Sequence, residues 1–334
     1  MENSEVLIIG AGPVGLFAAF KAGMVGMKSN IVDILDSAGG QCSALYPEKP
    51  IYDIPAYPKI LAGELIERLK EQNSIFSPKY FLGQQIRTVK RGEDGYFVSI
   101  TDKGVQFRSK IIIIAAGAGA FAPNKPPIAN IELFENQSVF YHVDNVNKFQ
   151  GKKIVIAGGG DSAIDWAINL SNIAQKIYLI HRRDKFRASP STTELVHMLE
   201  REGKIEIIKP YQLHSLEGKD GILSKVNVVD FDNNLKPIEA DILLPFFGLS
   251  SQIGPIKNWG LNIDKNTILV NQATQMTNIE GIYAVGDVCE YEGKLKLILT
   301  GFSECAHAVH HAYPFVFGGN QLHFQHSTSM DLVS

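Results

Sequence analysis

Two glycine-rich turns have the residue types and the spacing of phosphate-binding loops. The first, Gly10-Ala11-Gly12-Pro13-Val14-Gly15, matches the pattern G-x-G-x-x-G. In that pattern the first glycine permits a tight turn, the second lets the backbone approach a pyrophosphate, and the third lets helix and strand pack closely. The phosphates then lie at the amino end of a helix, where free N–H groups and the helix dipole favour an anion. This turn therefore predicts a dinucleotide site.

An acidic residue follows the first turn at the distance expected for a ribose contact. Asp33 lies 23 residues after Gly10. A carboxylate there accepts hydrogen bonds from a ribose 2′-hydroxyl and repels a 2′-phosphate. Asp36 is the alternative acid. The first site is therefore expected to hold an adenosine ribose with a free 2′-hydroxyl, as in FAD, although a tight turn followed by a surface aspartate would look similar.

The second turn is followed by cations where the first is followed by an acid. It reads Gly158-Gly159-Gly160-Asp161-Ser162-Ala163, with Ala163 in the place of the third glycine, and Arg182 lies 24 residues after Gly158. Guanidinium groups bind a 2′-phosphate through charge-assisted hydrogen bonds. The alternative for these cations is a solvated run of charge. The turn and its position favour an NADPH site, with contacts from Gly158, Gly160, Ala163, Arg182 and Arg187.

Each turn lies between two apolar segments of strand length. Val6–Gly10 is a continuous apolar run, which suits a parallel strand buried on both faces, and the next strand is predicted at Asn30–Leu35. The same order recurs at Lys153–Ala157, Asp161–Ile173 and Lys176–His181. Strand, glycine turn, helix and strand form a βαβ unit. The sequence therefore predicts an α/β fold with two Rossmann-like domains.

Composition limits the other classes of function. The 334 residues are 45% hydrophobic and 20% charged, with a net charge of −3, so a strongly basic face for nucleic acid is not expected. No apolar run approaches the roughly 20 residues that span a bilayer. The acidic amino terminus does not resemble a targeting peptide. Three cysteines, odd in number and far apart, fit a reducing cytoplasm best.

Five motifs in order carry a family resemblance that covers nearly the whole chain. The segments GAGPVG, IIAAGA, GGGDSA, HRRDKFRA and GIYAVGDV resemble those of the thioredoxin reductase branch of the flavoproteins with two dinucleotide-binding domains. This resemblance implies that an NADPH domain is inserted into an FAD domain. The expected boundaries are 1–118 for the first part of the FAD domain, 119–280 for the NADPH domain, and 281–334 for the second part with its tail.

The redox-active cysteine pair of the related reductases is missing. The segment 140–145, where a thioredoxin reductase carries Cys-x-x-Cys, contains no cysteine. Gly39-Gly40-Gln41-Cys42 matches half of the glutathione reductase motif, but Pro47 stands where the second cysteine would be. Electrons are therefore expected to leave directly from the flavin. With the tail segment 326–329, this pattern resembles the bacterial thioredoxin reductase-like ferredoxin–NADP⁺ reductases.

That resemblance implies a reaction and a set of contacts. Hydride would pass from NADPH to flavin N5, and single electrons would pass to ferredoxin or flavodoxin, in a homodimer. Tyr46 would stack on the flavin ring and His326 would cover its other face. The remaining FAD contacts would be made by Val14, Asp33, Gln41, Ile86, Phe121, Asp287 and Thr328, beside Gly10, Gly12 and Gly15. Simpler roles for these residues are core packing for Ile86 and Phe121, a helix N-cap for Asp287, a loop tyrosine for Tyr46 and a terminal tail residue for His326.

Other functions remain open at this point. The chain could be an NADPH-dependent reductase of quinones, oxygen or disulfides, a disulfide reductase whose cysteines meet in space, or a flavin redox sensor. Because the cofactors carry the redox chemistry, no catalytic acid, base or nucleophile is expected. Glu304, His307 and His311 share a helical face and could suggest a metal site. No second set of ligands completes such a site, so none is predicted.

Overall fold

The computed structural model describes residues 1–323, except the side chains of residues 121, 122 and 249–251. His326 and Thr328 therefore lie outside the described residues, and the side chain of Phe121 is not described. The chain divides into two compact units. Unit 1 consists of residues 1–121 together with the described residues from 251 onward, and unit 2 consists of residues 122–250.

The first segment of unit 1 contains one dinucleotide-binding βαβ unit and the strands that follow it. Its strands are β1 Glu2–Ile9, β2 Ser29–Val32, β3 Pro50–Ile51, β4 Ile60–Leu61, β5 Lys79–Phe81, β6 Ile86–Arg91, β7 Phe97–Thr101, β8 Gln106–Ile114 and β9 Ala120–Pro123, the last of which reaches the boundary of the unit. Its helices are α1 Pro13–Met24, α2 Gln41–Ala44 and α3 Ala62–Ser74.

Unit 2 contains the second βαβ unit. Its strands are β10 Lys153–Ala157, β11 Lys176–Ile180, β12 Ile205–Ile208, β13 Gln212–Lys219, β14 Ile222–Val229, β15 Leu235–Glu239, β16 Ile242–Pro245 and β17 Leu249–Gln252, the last of which crosses the boundary of the unit. Its helices are α4 Asp161–Leu170 and α5 Pro190–Arg201, with short 3-10 helices at Ile131–Leu133 and Val146–Phe149.

The second segment of unit 1 completes that unit. It contains 3-10 helices at Gly254–Asn258 and Gly286–Val288, the strands β18 Ile263–Asp264, β19 Thr267–Leu269, β20 Ile282–Ala284 and β21 Cys289–Glu290, and the helix α6 Ile298–Val316. No helix in the described part of the chain is long and apolar enough to cross a bilayer.

The main sheet of unit 1 is buried on both faces. Its strands lie in the order β5-β2-β1-β8-β7-β6, with β20 paired to β8, and β1 runs parallel to both β2 and β8. Successive side chains of a strand point to opposite faces. Val6 and Ile8 pack in one apolar cluster, with residues of α1, α3 and α6, whereas Leu7 and Ile9 pack in a second cluster. The apolar run at the start of the chain therefore has no solvent-facing side.

Residues 251–280 pack with unit 1, although the sequence-based boundaries placed them in the inserted domain. Ile253, Ile256 and Ile268 are buried in the same apolar cluster as Leu7 of β1. In addition, β19 pairs with β21 in a small sheet. These contacts join positions far apart in the chain, so the pattern of local motifs did not indicate them.

Unit 2 has a parallel sheet and an antiparallel sheet. The parallel sheet has the order β12-β11-β10-β16, and the antiparallel sheet has the order β13-β14-β15. Val155 and Leu243 of the parallel sheet share an apolar core with Val226 and Val228 of β14. The two Rossmann-like βαβ units predicted from the glycine turns are thus both present, which confirms the expected α/β fold class.

Candidate functional sites

The first glycine turn joins β1 to α1 in a space that only glycine fits. Gly10 has a φ of +111°, and a Cβ on it would overlap the carbonyl oxygen of Ala115. A Cβ on Gly15 would overlap the carbonyl oxygen of Gly10. Both glycines therefore allow the close approach of β1, α1 and the end of β8 that creates the turn.

The amino end of α1 is suited to an anion. Gly12 is the N-cap, Pro13 is the first helical residue, no side chain caps the helix, and its first turn has no acidic residue. A Cβ on Gly12 would contact only Gly40 Cα, at 4.0 Å, so the backbone is accessible there. A phosphate at this end would be bound by helix N–H groups and favoured by the dipole.

Asp33 connects the turn to the end of β2. Its Oδ2 accepts a hydrogen bond from the Ala11 N–H at 2.6 Å, and its Oδ1 accepts one from the Leu35 N–H at 2.8 Å. Burial raises the pKa of this carboxyl, and the backbone donors oppose that effect. Because a carboxylate offers about four acceptor sites, Asp33 can hold the turn and still accept a ribose hydroxyl.

A cavity of about 260 Å³ in unit 1 collects most of the predicted FAD contacts. Gly15 lies behind it, packed against the backbone of Gly10. Ile86 is buried at the start of β6, and α2 begins at Gln41. The predicted contacts that line the cavity are Gly10, Gly12, Val14, Asp33, Gln41, Tyr46, Ile86 and Asp287.

Asp287 lies close to Tyr46 and Cys42 in this cavity. The Cys42 Sγ donates a weak hydrogen bond to the Tyr46 hydroxyl at 3.9 Å. Burial is the main cause that raises the pKa of Cys42 to about 11, and the negative charge of Asp287 adds to it. The same two causes, with the neighbouring Cys42, raise the pKa of Tyr46. At neutral pH the Cys42 thiol is therefore protonated, and thus a poor nucleophile.

Gln84 is a cavity residue that the sequence analysis missed. It lies beyond the end of β5, lines the cavity, and is 9% exposed. Its Oε1 is buried with no hydrogen-bond partner among the described residues. Buried polar atoms are nearly always hydrogen-bonded, so a donor from a bound nucleotide fits this position. Gln84, like Asp33, follows a parallel strand, and this position in the sequence could have predicted it as a cavity residue.

The second glycine turn has a similar backbone form in unit 2, but the first turn of α4 contains the acidic residue Asp161. Gly158 has a φ of +156°, and a Cβ on it would lie 2.6 Å from the Phe246 carbonyl oxygen and 2.9 Å from Ala163 Cβ. Gly160 is the N-cap of α4 and faces open space. The Arg187 N–H donates to the Gly159 carbonyl at 2.6 Å. The backbone of Arg187 is therefore fixed against the turn.

Positive charge concentrates beside this second turn. His181 stacks on Phe186 with ring centroids 5.4 Å apart, and burial lowers its pKa. The positive charges of Arg183, Arg182 and Arg187 lower that pKa further, so all three guanidinium groups lie near the imidazole. All three are exposed, and no described carboxylate forms a salt bridge with them. This arrangement suits a ligand that carries an additional phosphate.

The three cysteines are free and buried, and the helical Glu304–His311 face has other partners. His311 Nδ1 is 3.0 Å from the Tyr283 hydroxyl, while Glu304 accepts a hydrogen bond from the Gly286 N–H. Among the described residues, no group of three or more His, Cys, Asp or Glu side chains is arranged to hold a metal ion.

Two βαβ units, each with a glycine turn between its first strand and its helix, define a protein with two dinucleotide-binding domains. The chain belongs to the pyridine nucleotide-disulphide oxidoreductase family, whose sequence profile matches residues 4–312.

Two curated relatives are similar over almost their whole length. The chain is 58% identical to the ferredoxin–NADP reductase of Rickettsia canadensis (strain McKiel), across 98% of this chain and 97% of that protein. It is 57% identical to the ferredoxin–NADP reductase of Rickettsia bellii (strain OSU 85-389), across 98% and 99%. These relatives confirm the resemblance drawn from the motifs.

Solved structures support the same fold. The thioredoxin reductase of T. acidophilum matches with a TM-score of 0.79 and 23% identity, covering 94% of this chain and 98% of that one. The thioredoxin reductase of Lactococcus lactis (FR conformation) matches with a TM-score of 0.78 and 26% identity, covering 94% and 99%. The fold is therefore that of the thioredoxin reductases.

Proposed function

We propose that this chain is an FAD-dependent ferredoxin–NADP⁺ reductase. The observation that carries the proposal is a dinucleotide cavity in a chain that lacks the cysteine pairs of the related reductases and is 56–58% identical to curated ferredoxin–NADP reductases. A dithiol enzyme needs two cysteines that can meet. Segment 140–145 contains no cysteine and Pro47 stands where a partner of Cys42 would be, which supports a route for electrons that does not pass through a disulfide of this chain.

FAD occupies the cavity of unit 1 in this proposal. The amino end of α1 binds the pyrophosphate at Gly12 and Val14, and Asp33 accepts from the ribose hydroxyl. The rest of the FAD molecule is expected in the part of the cavity that is lined by Gln41, Tyr46, Ile86 and Asp287. Burial of the Asp33 carboxylate excludes water from its hydrogen bonds, which strengthens them. When bound there, FAD would supply the redox chemistry between a hydride donor, NADPH, and a one-electron acceptor.

NADPH binds at the second turn, with its pyrophosphate at Gly158 and Gly160 and its 2′-phosphate at Arg182 and Arg187. Ala163 packs beneath the turn, where it is 1% exposed. The uncompensated guanidinium groups attract the more negative of the two nicotinamide cofactors. A free 2′-hydroxyl leaves these cations without a partner, which disfavours NADH.

The remaining parts of the proposal extend beyond the two cofactor sites. Flavodoxin is a second one-electron partner, the protein is a homodimer, and it works in the cytoplasm. Phe121, His326 and Thr328 complete the flavin contacts. The relatives' names support the ferredoxin partner, and the three reduced cysteines support a reducing compartment.

One assay separates this function from its rivals. We expect NADPH-driven cytochrome c reduction to be slow with the enzyme alone and to rise strongly on addition of ferredoxin or flavodoxin, but not of thioredoxin. Equal rates with and without the carrier proteins would favour a reductase of small acceptors. Flavin reduction by NADPH without turnover to any acceptor would favour a sensor, and stimulation by thioredoxin would favour a disulfide reductase.

A further inference from the structure

Helix α6 begins at the unit 1 cavity, which Ile298 lines, and then packs against two of the turns that also line it. Gly301 faces Val14 and Gly286, and a Cβ on it would overlap the Val14 side chain and lie 3.4 Å from Gly286 Cα. One turn later, Cys305 Sγ donates to the Val14 carbonyl at 3.3 Å. The helix therefore packs directly under the first glycine turn and under the turn that carries Asp287.

Glu304 lies on the same face of α6 and binds the backbone of the second of these turns. Its Oε2 accepts a hydrogen bond from the Gly286 N–H at 2.7 Å. Its Oε1 accepts one from the Tyr291 hydroxyl at 2.7 Å and is paired with the Lys294 ammonium. The Lys294 and Glu304 side chains are only 1% and 3% exposed. Both oxygens of the buried Glu304 carboxylate therefore bind groups of one loop, 286–294.

This ion pair is too buried to be explained as a surface salt bridge. Desolvation of both groups offsets most of the Coulomb attraction, so a buried pair is weak evidence for stability. What the pair does achieve is geometric. It orients the Glu304 carboxylate at the N–H of Gly286, a residue with a φ of +77° whose neighbour, Asp287, lines the cavity. The turn is therefore fixed from the side opposite the ligand.

We propose that Glu304, oriented by Lys294 and Tyr291, is a positioning residue that sets the Gly286–Asp287 turn and thereby the contact of Asp287 with bound FAD. This inference rests on the proposed function, because it requires FAD in the unit 1 cavity. The Gly286 N–H is the essential link, and the charge of Glu304 matters because it keeps Lys294 neutralised. Loss of the acceptor should weaken FAD binding even though Glu304 does not touch the cofactor.

Two double variants separate the hydrogen bond from the charge. Lys294→Met with Glu304→Gln removes both charges and leaves an amide oxygen to accept from Gly286. Lys294→Met with Glu304→Leu removes both charges and the acceptor. Neither variant leaves a buried charge without a partner, so both are expected to fold. The dissociation constant of FAD is measured by flavin fluorescence, together with the absorption and circular dichroism spectra of the bound flavin.

A matched control lies in unit 2, where Glu135 also binds a lysine and a tyrosine. The Lys125 ammonium is 2.5 Å from Glu135 Oε1, and the Tyr141 hydroxyl donates to the same carboxylate oxygen at 2.8 Å. Glu135→Ala removes a triad of the same composition, more exposed than that of Glu304, whose members do not line the unit 1 cavity. FAD affinity and the flavin spectrum should be unchanged in this variant.

We expect the Met/Gln variant to bind FAD within about threefold of the wild type with an unchanged spectrum. The Met/Leu variant should bind at least tenfold more weakly and give a shifted spectrum. Equal FAD affinity and identical flavin spectra for the two variants would overturn the inference. It would also be overturned if the variants differed only in the melting temperature of the apoprotein. If the Met/Leu variant does not fold, Glu304→Asp, which keeps the charge but shortens the reach to Gly286, must show the same weakening. Failure of the wild type itself to bind FAD would instead refute the proposed function.

Discussion

In unit 1, Asp33 directly follows the second strand of the βαβ unit. Its side chain is buried, 9% exposed, and accepts hydrogen bonds from the backbone N–H groups of Ala11 and Leu35. In unit 2 the residue that directly follows the strand is the partly buried His181, and the exposed Arg182 comes one residue later. Arg187, farther along the same loop, is also exposed. The glycine turns that precede them have nearly the same form. The difference indicates two kinds of ligand, one held by buried hydrogen bonds and one attracted by exposed charge.

The burial of the two sites differs in the same direction. The unit 1 cavity is lined by many separate segments of the chain, among them the glycine turn, α2 and the Gly286–Asp287 turn. At the second turn, Gly160 faces open space. A resident cofactor needs slow dissociation, whereas a nucleotide substrate must leave in every turnover. The geometry therefore supports the proposal that unit 1 holds the resident cofactor and unit 2 the nucleotide substrate.

The largest expected effect comes from removal of the buried acceptor. Asp33→Ala should weaken FAD binding by roughly a hundredfold, because a hydrogen bond to a charged group contributes about 1.5–3 kcal/mol and Asp33 also holds Ala11 of the turn. Flavin content after purification and FAD titration of the apoprotein measure the effect. Asp36→Ala, the exposed alternative acid, is the control and should retain FAD; loss of FAD in that variant instead would assign the ribose contact to Asp36.

The exposed cations should give a smaller and more selective effect. Replacement of both Arg182 and Arg187 by alanine should raise the KM for NADPH at least tenfold more than the KM for NADH. Only NADPH has the 2′-phosphate, so only its binding loses the charge-assisted hydrogen bonds, which contribute about 1.5–3 kcal/mol. Arg201→Ala, an exposed cation at the end of α5, should leave both constants unchanged. Equal increases in the KM for NADPH and for NADH would show that these arginines do not bind the 2′-phosphate.

Raising the ionic strength should weaken NADPH binding at the unit 2 site a few-fold and leave FAD binding at the unit 1 site unchanged. Salt screens exposed charges within about 10 Å at 0.1 M, and buried groups much less. The KM for NADPH should therefore rise between about 0.05 and 0.5 M NaCl, while FAD stays bound and the KM for NADH changes little. Release of FAD over the same range would show that the unit 1 site depends on exposed charge.

Thiol chemistry should have the smallest effect on the wild-type enzyme. Burial raises the pKa of Cys42 to about 11 and, with the Glu304 carboxylate, that of Cys289 to about 12. A thiol whose pKa is raised is protonated below that value, so reaction with iodoacetamide should be slow at pH 7 and increase only as pH rises toward 11. NADPH oxidation should survive treatment at pH 7. Rapid loss of electron transfer to ferredoxin under these conditions would indicate a thiol relay.

The sequence alone determined the two βαβ units, and it predicts the kind of ribose that each favours. Both depend on local order: an apolar strand of about five residues, a glycine turn, a helix, and a second strand ending at Asp33 or just before Arg182. Such elements have a fixed spacing along the chain because strand, turn and helix lengths are limited. The missing dithiol could be recognised in the same way, from Pro47 and from segment 140–145.

The tertiary structure decided what lies around those motifs. It packed residues 251–280 with unit 1 and made Glu304 a buried acceptor for the Gly286 N–H. It also placed Gln84 in the cavity, with a side-chain oxygen that has no hydrogen-bond partner in the described part of the chain. Each of these outcomes depends on contacts between distant segments, such as that of Cys305 with Val14. No local periodicity encodes those contacts, because they arise only when α6 closes against α1 and excludes water from the space between them.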